Sequence, residues 1–346
     1  MRFGQRRSIE GEGGWRPWLA RWLGRTDLAS VAPAVIAAAL ADAPPQAAAT
    51  PPAVAPSRDL TGAATTPSRN SATTPPATPP NRNSTAWIAT PVHLIAGLTS
   101  LHLDRRSILR LPAPDLESYA QDFNRTFAGS DLFLQPLSSG DFLLHGPATL
   151  TGSTTEPARA LAADLEASLP KGADAKPLKR LGSELEMWLH AIPLNEVRQR
   201  RGEVPVSTLW LWGGGSCAAS ITHSPHTQID LAFGTDPYVA GLMHLHGAPS
   251  RALPDQLNSI LGDPQAQRAV LVIEVTPMLQ SNPHWSVLEV LAELDRRFVA
   301  PALAALRQGA VESIVLIANN TELRVRRHDR LKLWRRPQSA VMGLQS

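Results

Sequence analysis

The sequence predicts an α/β layer architecture with at least part of its sheet parallel, and three observations predict it. From Val206 to Ala318, β-rich runs alternate with helix-like stretches at the spacing of strand–helix–strand units. Hydrophobic residues make up 43% of the chain and the mean hydropathy is −0.12, values ordinary for a chain that folds around a core. The composition also shifts sharply near residue 85, which places one core domain behind an irregular N-terminal portion of the 346-residue chain.

Residues 1–42 read as a short helical arm. Trp15, Trp18 and Trp22 recur at spacings of three and four, which sets them on one face of a helix from about Trp15 to Gly24; such a face is expected to dock onto the protein's own body, the alternative being a membrane or a foreign partner. Residues 43–85 are almost wholly Ala, Pro, Thr, Ser and Asn; they cannot bury enough apolar area to offset ordering entropy and are predicted to be a disordered linker. The body, 86–346, divides into an α+β part (86–190) and an α/β part (191–346).

In the first part, structure resumes at Trp87, with short strands expected at Thr90–Leu94 and Ser100–Leu103. Pro114–Phe127 reads as a helix with Leu116, Tyr119 and Phe123 inward. Phe133–Pro136 and Asp141–His145 read as a hairpin around Ser138-Ser139-Gly140. A helix from Leu178 presents Leu181, Leu185, Trp188 and Leu189 on one face and stops before Pro193. In the second part, Val206–Trp212 is a strand expected to feed a glycine turn at Gly213-Gly214-Gly215. Strands at Gln228–Phe233, Ala269–Val275 and Val311–Ala318 then alternate with helices at Pro237–His246 and Trp285–Gln308.

Composition excludes several classes of function. A single cysteine, Cys217, forbids an intramolecular disulfide and thiolate-rich zinc sites, and it fits a reducing, cytoplasmic compartment. No stretch approaches the roughly 20 apolar residues of a membrane span. The apolar run Val31–Ala41, which follows several arginines and leads into Ala-Asp-Ala, loosely has the form of a secretory signal, but Pro33 interrupts it and three tryptophans precede it. The net charge is only +3, yet Arg324, Arg326, Arg327, Arg330, Lys332, Arg335 and Arg336 cluster near the end, with a pI near 9.4. Such a stripe attracts phosphate or nucleic acid; it is equally what protects a solvated edge strand from pairing with another chain.

The most informative stretch runs Leu189-His190-Ala191-Ile192-Pro193-Leu194-Asn195-Glu196-Val197-Arg198, then Gly202-Glu203-Val204-Pro205, then Leu209-Trp210-Leu211-Trp212-Gly213-Gly214-Gly215. Backbone amides of a glycine-rich strand end can converge on an anion, and Arg198 could clamp it. The alternative is a tight turn whose bare glycine surface receives the two tryptophans. This block resembles the most recognisable segment of the archaeal-type cofactor-independent phosphoglycerate mutases. It is more similar still to the RpfE-type regulatory proteins, a proteobacterial group related to them. The closer resemblance runs from Trp87 to the end and takes in Pro91, Val92, His93, Leu94, the Trp285 helix and Trp334-Arg335-Arg336-Pro337.

The resemblance implies an alkaline-phosphatase-like, phosphoglycerate mutase-type layered sheet, truncated, with 86–190 as a cap-like subdomain. It also implies, for active relatives, two divalent cations and a serine nucleophile held by Asp and His at strand ends. This chain departs from that pattern. Its opening has no Asp-rich turn, Thr276–Gln280 with His284 stands where an Asp-x-x-x-His element belongs, Asn319-Asn320 replaces an Asp-His pair, and Ile192 replaces a histidine. His223 with His226, and His244 with His246, lack the i, i+4 spacing of a helical metal site.

No catalytic residue, metal ligand or cofactor is therefore assigned. Asn195, Arg198, Trp210, Trp212, Gly213, Gly214 and Gly215 are the expected ligand-binding residues, and the expected partner is a small anionic ligand or a protein. Three functions compete. The first is a degenerate mutase-like protein with a regulatory, non-catalytic role. The second is an active phosphoglycerate mutase or related metal-dependent phosphatase. The third is nucleic-acid or surface binding through the basic cluster.

Overall fold

A computed structural model describes residues 5–41, 84–97, 101–104, 106–161, 165–172, 175–217, 221, 230–263, 267–281, 284–318 and 320–327. Most of the expected linker, His223, His226, Asn319 and the end of the basic cluster lie outside the described residues. The strands are β1 (Gln5–Ser8), β2 (Ser84–Val92), β3 (Ile95–Ala96), β4 (Leu101–His102), β5 (Phe133–Pro136), β6 (Phe142–Pro147), β7 (Thr208–Ser216), β8 (Asp230–Phe233), β9 (Ser250–Arg251), β10 (Arg268–Leu271), β11 (Ser313–Ala318) and β12 (Thr321–Arg326). The helices are α1 (Trp15–Trp22), α2 (Pro33–Ala41), α3 (Ala113–Thr126), α4 (Pro157–Ala160), α5 (Leu165–Ser168), α6 (Lys176–Ala191), α7 (Pro193–Arg200), α8 (Pro237–His246), α9 (Asn258–Leu261), α10 (Val275–Ser281), α11 (Val287–Leu294) and α12 (Ala300–Gln308).

The architecture is mixed α/β. An antiparallel sheet of order β5-β6-β2-β7 has β2 at its centre, and every residue of β2 is buried because both faces are covered. Alternation divides the strand: Trp87 and Ala89 join Leu116, Tyr119, Phe123, Leu181 and Leu185 of α3 and α6, while Ala86, Ile88 and Val92 join Ala34, Val35 and Ala37 of α2. The expected strand at Thr90–Leu94 is thus the end of a nine-residue strand.

The apolar run after the arginines is a core helix. Residues Pro33–Ala41 carry no polar face, and a helix apolar all round is stable in water only when enclosed. Its alanines let it lie against β2 and β7 on one side, while on the other Ile36 meets α8. There a Cβ added at Gly241 would sit 2.1 Å from the Ile36 carbonyl oxygen. The N-terminal residues are consequently woven into the body: Trp18 and Leu19 of α1, with Leu23 just after it, share a core cluster with Leu242 and Met243 of α8, in line with the expectation that the tryptophan helix docks onto the body.

A small parallel sheet, order β10-β8-β9, packs α8 on one face and Leu257, Ile260 and Phe298 on the other. The strand expected at 269–275 ends at Leu271, and Val275–Ser281 is helical instead. A third sheet, antiparallel, has the order β1-β12-β11. The edge-strand reading of the basic residues is corrected here, because Arg324 and Arg326 lie on its middle strand. Buried Glu322 on that strand pairs with Arg7 and Arg324 and accepts from Trp18 Nε1.

The long helix after Trp285 is capped by a reciprocal Ser286–Glu289 box and continues to Gln308 through a π-turn at Asp295–Val299. Pro301 has no amide to offer four residues back, and the Arg297 carbonyl it leaves free accepts from Leu257 N at 3.2 Å.

The glycine run does not turn the chain. β7 continues through it to Ser216, with Ile88 opposite Trp212 and Ala86 opposite Gly215, so Trp87 alone faces Gly213 and Gly214. This two-against-one count is a β-bulge whose first glycine is left-handed, with φ 64° at Gly213.

Candidate functional site

The expected site residues fall into two groups on opposite faces of the antiparallel sheet. Asn195 and Arg198 lie on the inner side of α7 and engage α3. Asn195 Oδ1 accepts from the Tyr119 hydroxyl at 2.7 Å and from Val206 N at 2.9 Å, and its Nδ2 donates to the Leu189 and Val206 carbonyls at 2.7 and 2.9 Å. Arg198 pairs with Asp115 and Glu203, both at 2.9 Å, and its Nε donates to the Val204 carbonyl. These two residues fasten α7 and the strand that follows it to α3, and their hydrogen-bonding groups point into the protein.

Trp210 and Trp212 belong to the α2 face. Trp210 Nε1 donates to the Thr155 carbonyl at 2.7 Å, and Trp212 Nε1 donates to Thr90 Oγ1 at 2.9 Å. Gly214 and Gly215 are covered by protein: a Cβ on Gly214 would lie 2.2 Å from the Trp87 ring, and one on Gly215 would lie 2.5 Å from Ala32 Cβ. Gly213 is different, because with Trp212 it lines a cleft of about 370 Å³.

Four elements build this cleft. Gly13 and Gly14, with φ of 83° and 91°, swing the chain into α1, and Gly14 as N-cap has no side chain to cap the helix's first amides. Trp15 and Arg16 open the helix, Thr154–Glu156 and Arg159 form the facing wall, and Tyr238 comes from the start of α8. Asp236 behind it is the α8 N-cap, accepting from Val239 N at 3.0 Å.

Arg16 is the centre. Its guanidinium lies 4.5 Å from the Trp15 ring and 4.9 Å from the Trp212 ring, forks onto both oxygens of Glu156 at 3.0 Å, and reaches Asp236 at 3.5 Å. Its Nε is buried without a hydrogen-bond partner, as is Asn320 Oδ1, which stands 3.6 Å from where a Gly14 Cβ would be. Arg159 is exposed at the rim, and its guanidinium makes no hydrogen bond or ion pair among the described residues.

Burial works to push the Glu156 carboxyl up, but the fork from Arg16, helped by Arg159, prevails and holds it below the ordinary carboxylate range. Asp236 faces the same arginine yet moves the other way. Its burial is more complete and its contact with Arg16 is longer and single, so desolvation prevails and its pKa rises. Burial also pushes the Tyr238 phenol well above its ordinary value, and its hydroxyl donates to the Arg16 carbonyl at 2.8 Å. Both carboxylates thus face Arg16, and the phenol keeps its proton.

The described residues do not fit the two divalent cations implied by the resemblance. Among the described residues no three His, Cys, Asp or Glu side chains gather where they could hold a metal ion. Thr276–Gln280 is helical, with Gln280 Nε2 donating to the Ile108 carbonyl, and buried His246 is held by Asp230 at 2.8 Å, which Arg268 also engages. No helix among the described residues is long and apolar enough to cross a membrane.

Sequence reasoning found Trp212 and Gly213 but missed Arg16, Glu156, Arg159, Asp236 and Tyr238. The legible signals were Gly13-Gly14 ahead of a tryptophan helix and Asp236-Pro237 at a helix start. The pairings across 140 and 220 residues were not legible.

No protein-family model matches the chain, and no curated protein matches it. Among solved structures it is similar to a cofactor-independent phosphoglycerate mutase from Thermoplasma acidophilum DSM 1728, at 14% identity and a TM-score of 0.31, over 70% of this chain and 68% of that one. It is also similar to the PH0037 protein from Pyrococcus horikoshii, at 11% identity and a TM-score of 0.35, over 72% of this chain and 66% of that one.

Proposed function

We propose that this chain is a degenerate phosphoglycerate mutase-like protein with a non-catalytic, regulatory role, and that it binds a small anion in the cleft at Trp212 and Gly213. The observation that carries the reading is the division of charge there. Arg16 is consumed by Glu156 and Asp236, whereas Arg159 stands at the rim with no ion pair among the described residues. Uncapped amides at the start of α1 add positive potential to the same space, and the aromatic walls suit an anion that carries a flat apolar part.

The test is titration calorimetry with two probes, inorganic phosphate and phenyl phosphate, alongside tryptophan fluorescence, since Trp15 and Trp212 line the space. We expect phenyl phosphate to bind more tightly than phosphate. Arg159→Ala should weaken both by roughly 10- to 100-fold, the worth of one charge-assisted hydrogen bond, without altering thermal stability. Absence of binding by either probe would overturn the ligand reading. Metal-dependent isomerisation of phosphoglycerate that a chelator abolishes would overturn the non-catalytic one.

A further inference from the structure

The three-stranded sheet has two edges of opposite character. β1, at one edge, is four residues long and carries exposed Arg6 and Arg7, a short charged edge of the kind that resists pairing with another chain. β11, at the other edge, is the uncharged and proline-free run Ser-Ile-Val-Leu-Ile-Ala. One side of β11 is bonded to β12, and among the described residues no backbone hydrogen bond leaves its other side. Its side chains divide by alternation. Val315 and Ile317 pack onto the core cluster of α1 and α8, while Ile314, Leu316 and Ala318 occupy the opposite face, where Leu316 is 46% exposed.

We propose that β11 is the seam of a two-fold homodimer, in which β11 of a second copy adds antiparallel and joins two three-stranded sheets into one of six. An axis perpendicular to the sheet near Val315 keeps both copies' packed faces on the same side. It sets Ile314 across from Leu316 of the partner subunit, so each exposed leucine meets an isoleucine. The occupant is a second copy for two reasons. The run is apolar in either direction and so complements itself, and an antiparallel two-fold pair closes on itself. The head-to-tail alternative lays β11 along the arginines of β1 and generates an open filament, which the charged edge opposes.

The measurement is molar mass by light scattering and sedimentation on the full chain over a range of concentrations, for the wild type, Leu316→Lys, Leu316→Glu and Leu316→Ser. The wild type should show twice the 37.2 kDa chain mass at micromolar concentration. Lysine or glutamate at 316 should raise the dimer dissociation constant by roughly 100-fold or more, because each dimer loses two buried leucines and gains two like charges. An equimolar mixture of the lysine and glutamate variants should regain the dimer mass, which misfolding cannot mimic, and circular dichroism should match the wild type throughout. Leu316→Ser, with no charge to bring misfolding, should weaken the dimer to a smaller degree. A wild type that stays monomeric overturns the proposal, as does a dimer that survives all three variants or a mixture that fails to reassociate. Filament growth in the wild type would point to head-to-tail pairing and would equally overturn it.

Discussion

Replacing Gly214 with alanine decides whether the glycines of β7 serve packing or a ligand. The new Cβ would stand 2.2, 2.2 and 2.4 Å from three atoms of the Trp87 indole. Carbon atoms rest at about 3.5 Å or more, so ring and strand must separate by roughly 1.3 Å. The ring has no free direction in which to go: it is 1% exposed, belongs to an interior strand of the sheet, and donates from Nε1 to Thr85 Oγ1. Overpacking of a filled core costs about 1–3 kcal/mol, and a rigid indole between two layers places this site near 3. Gly182 provides the opposite case, because it lies inside α6 with nothing within 4 Å of an added Cβ. Gly182→Ala should therefore gain up to about 1 kcal/mol from helix propensity alone. Urea unfolding followed by far-ultraviolet circular dichroism should move the two midpoints in opposite directions. A Gly214→Ala protein as stable as the wild type, but unable to bind phenyl phosphate, would refute the packing account and return Gly214 to the ligand.

Two further substitutions test the polar joints. Asn195→Ala strips partners from Tyr119, Leu189 and both backbone groups of Val206 inside the protein, and should cost about 3–5 kcal/mol in urea unfolding; a loss below about 1 kcal/mol would show that these groups find water instead. Glu156 has a folded pKa below its ordinary 4.5, so its pairing with Arg16 contributes stability that is full above that value and disappears as pH falls through the folded pKa. The stability gap between wild type and Glu156→Gln should accordingly narrow as the solution is acidified below pH 4.5, and a gap independent of pH in that window would contradict the pairing.

How much of this was legible in the sequence depended on whether the signal was local. Helix α8 was read with its observed bounds because Asp236, Pro237 and Gly247 are cap, first residue and left-handed stop in succession. The inner faces of α3 and α6 followed from helical periodicity. Helix α2 was invisible to the same test, since a segment apolar on every side has no period to detect. β1 is four residues with no alternation, and only β12, more than three hundred positions away, makes it a strand. The glycine run stood out in the sequence as either an anion turn or a packing turn, and its form depended on what lay opposite: Trp87 makes it a bulge with an indole against it. The cleft was half legible for the same reason, with Trp212 and Gly213 in a recognisable block and Arg16 paired far across the chain.

The position of α2 has a consequence for how the protein is made. Its final neighbours include Gly241, so a ribosome adding 5–20 residues per second delivers that partner roughly 10–40 s after the helix itself emerges. For that interval the side of the nine-residue apolar helix that meets α8 stays uncovered, although β2, only roughly 50 residues downstream, is already available to its other side.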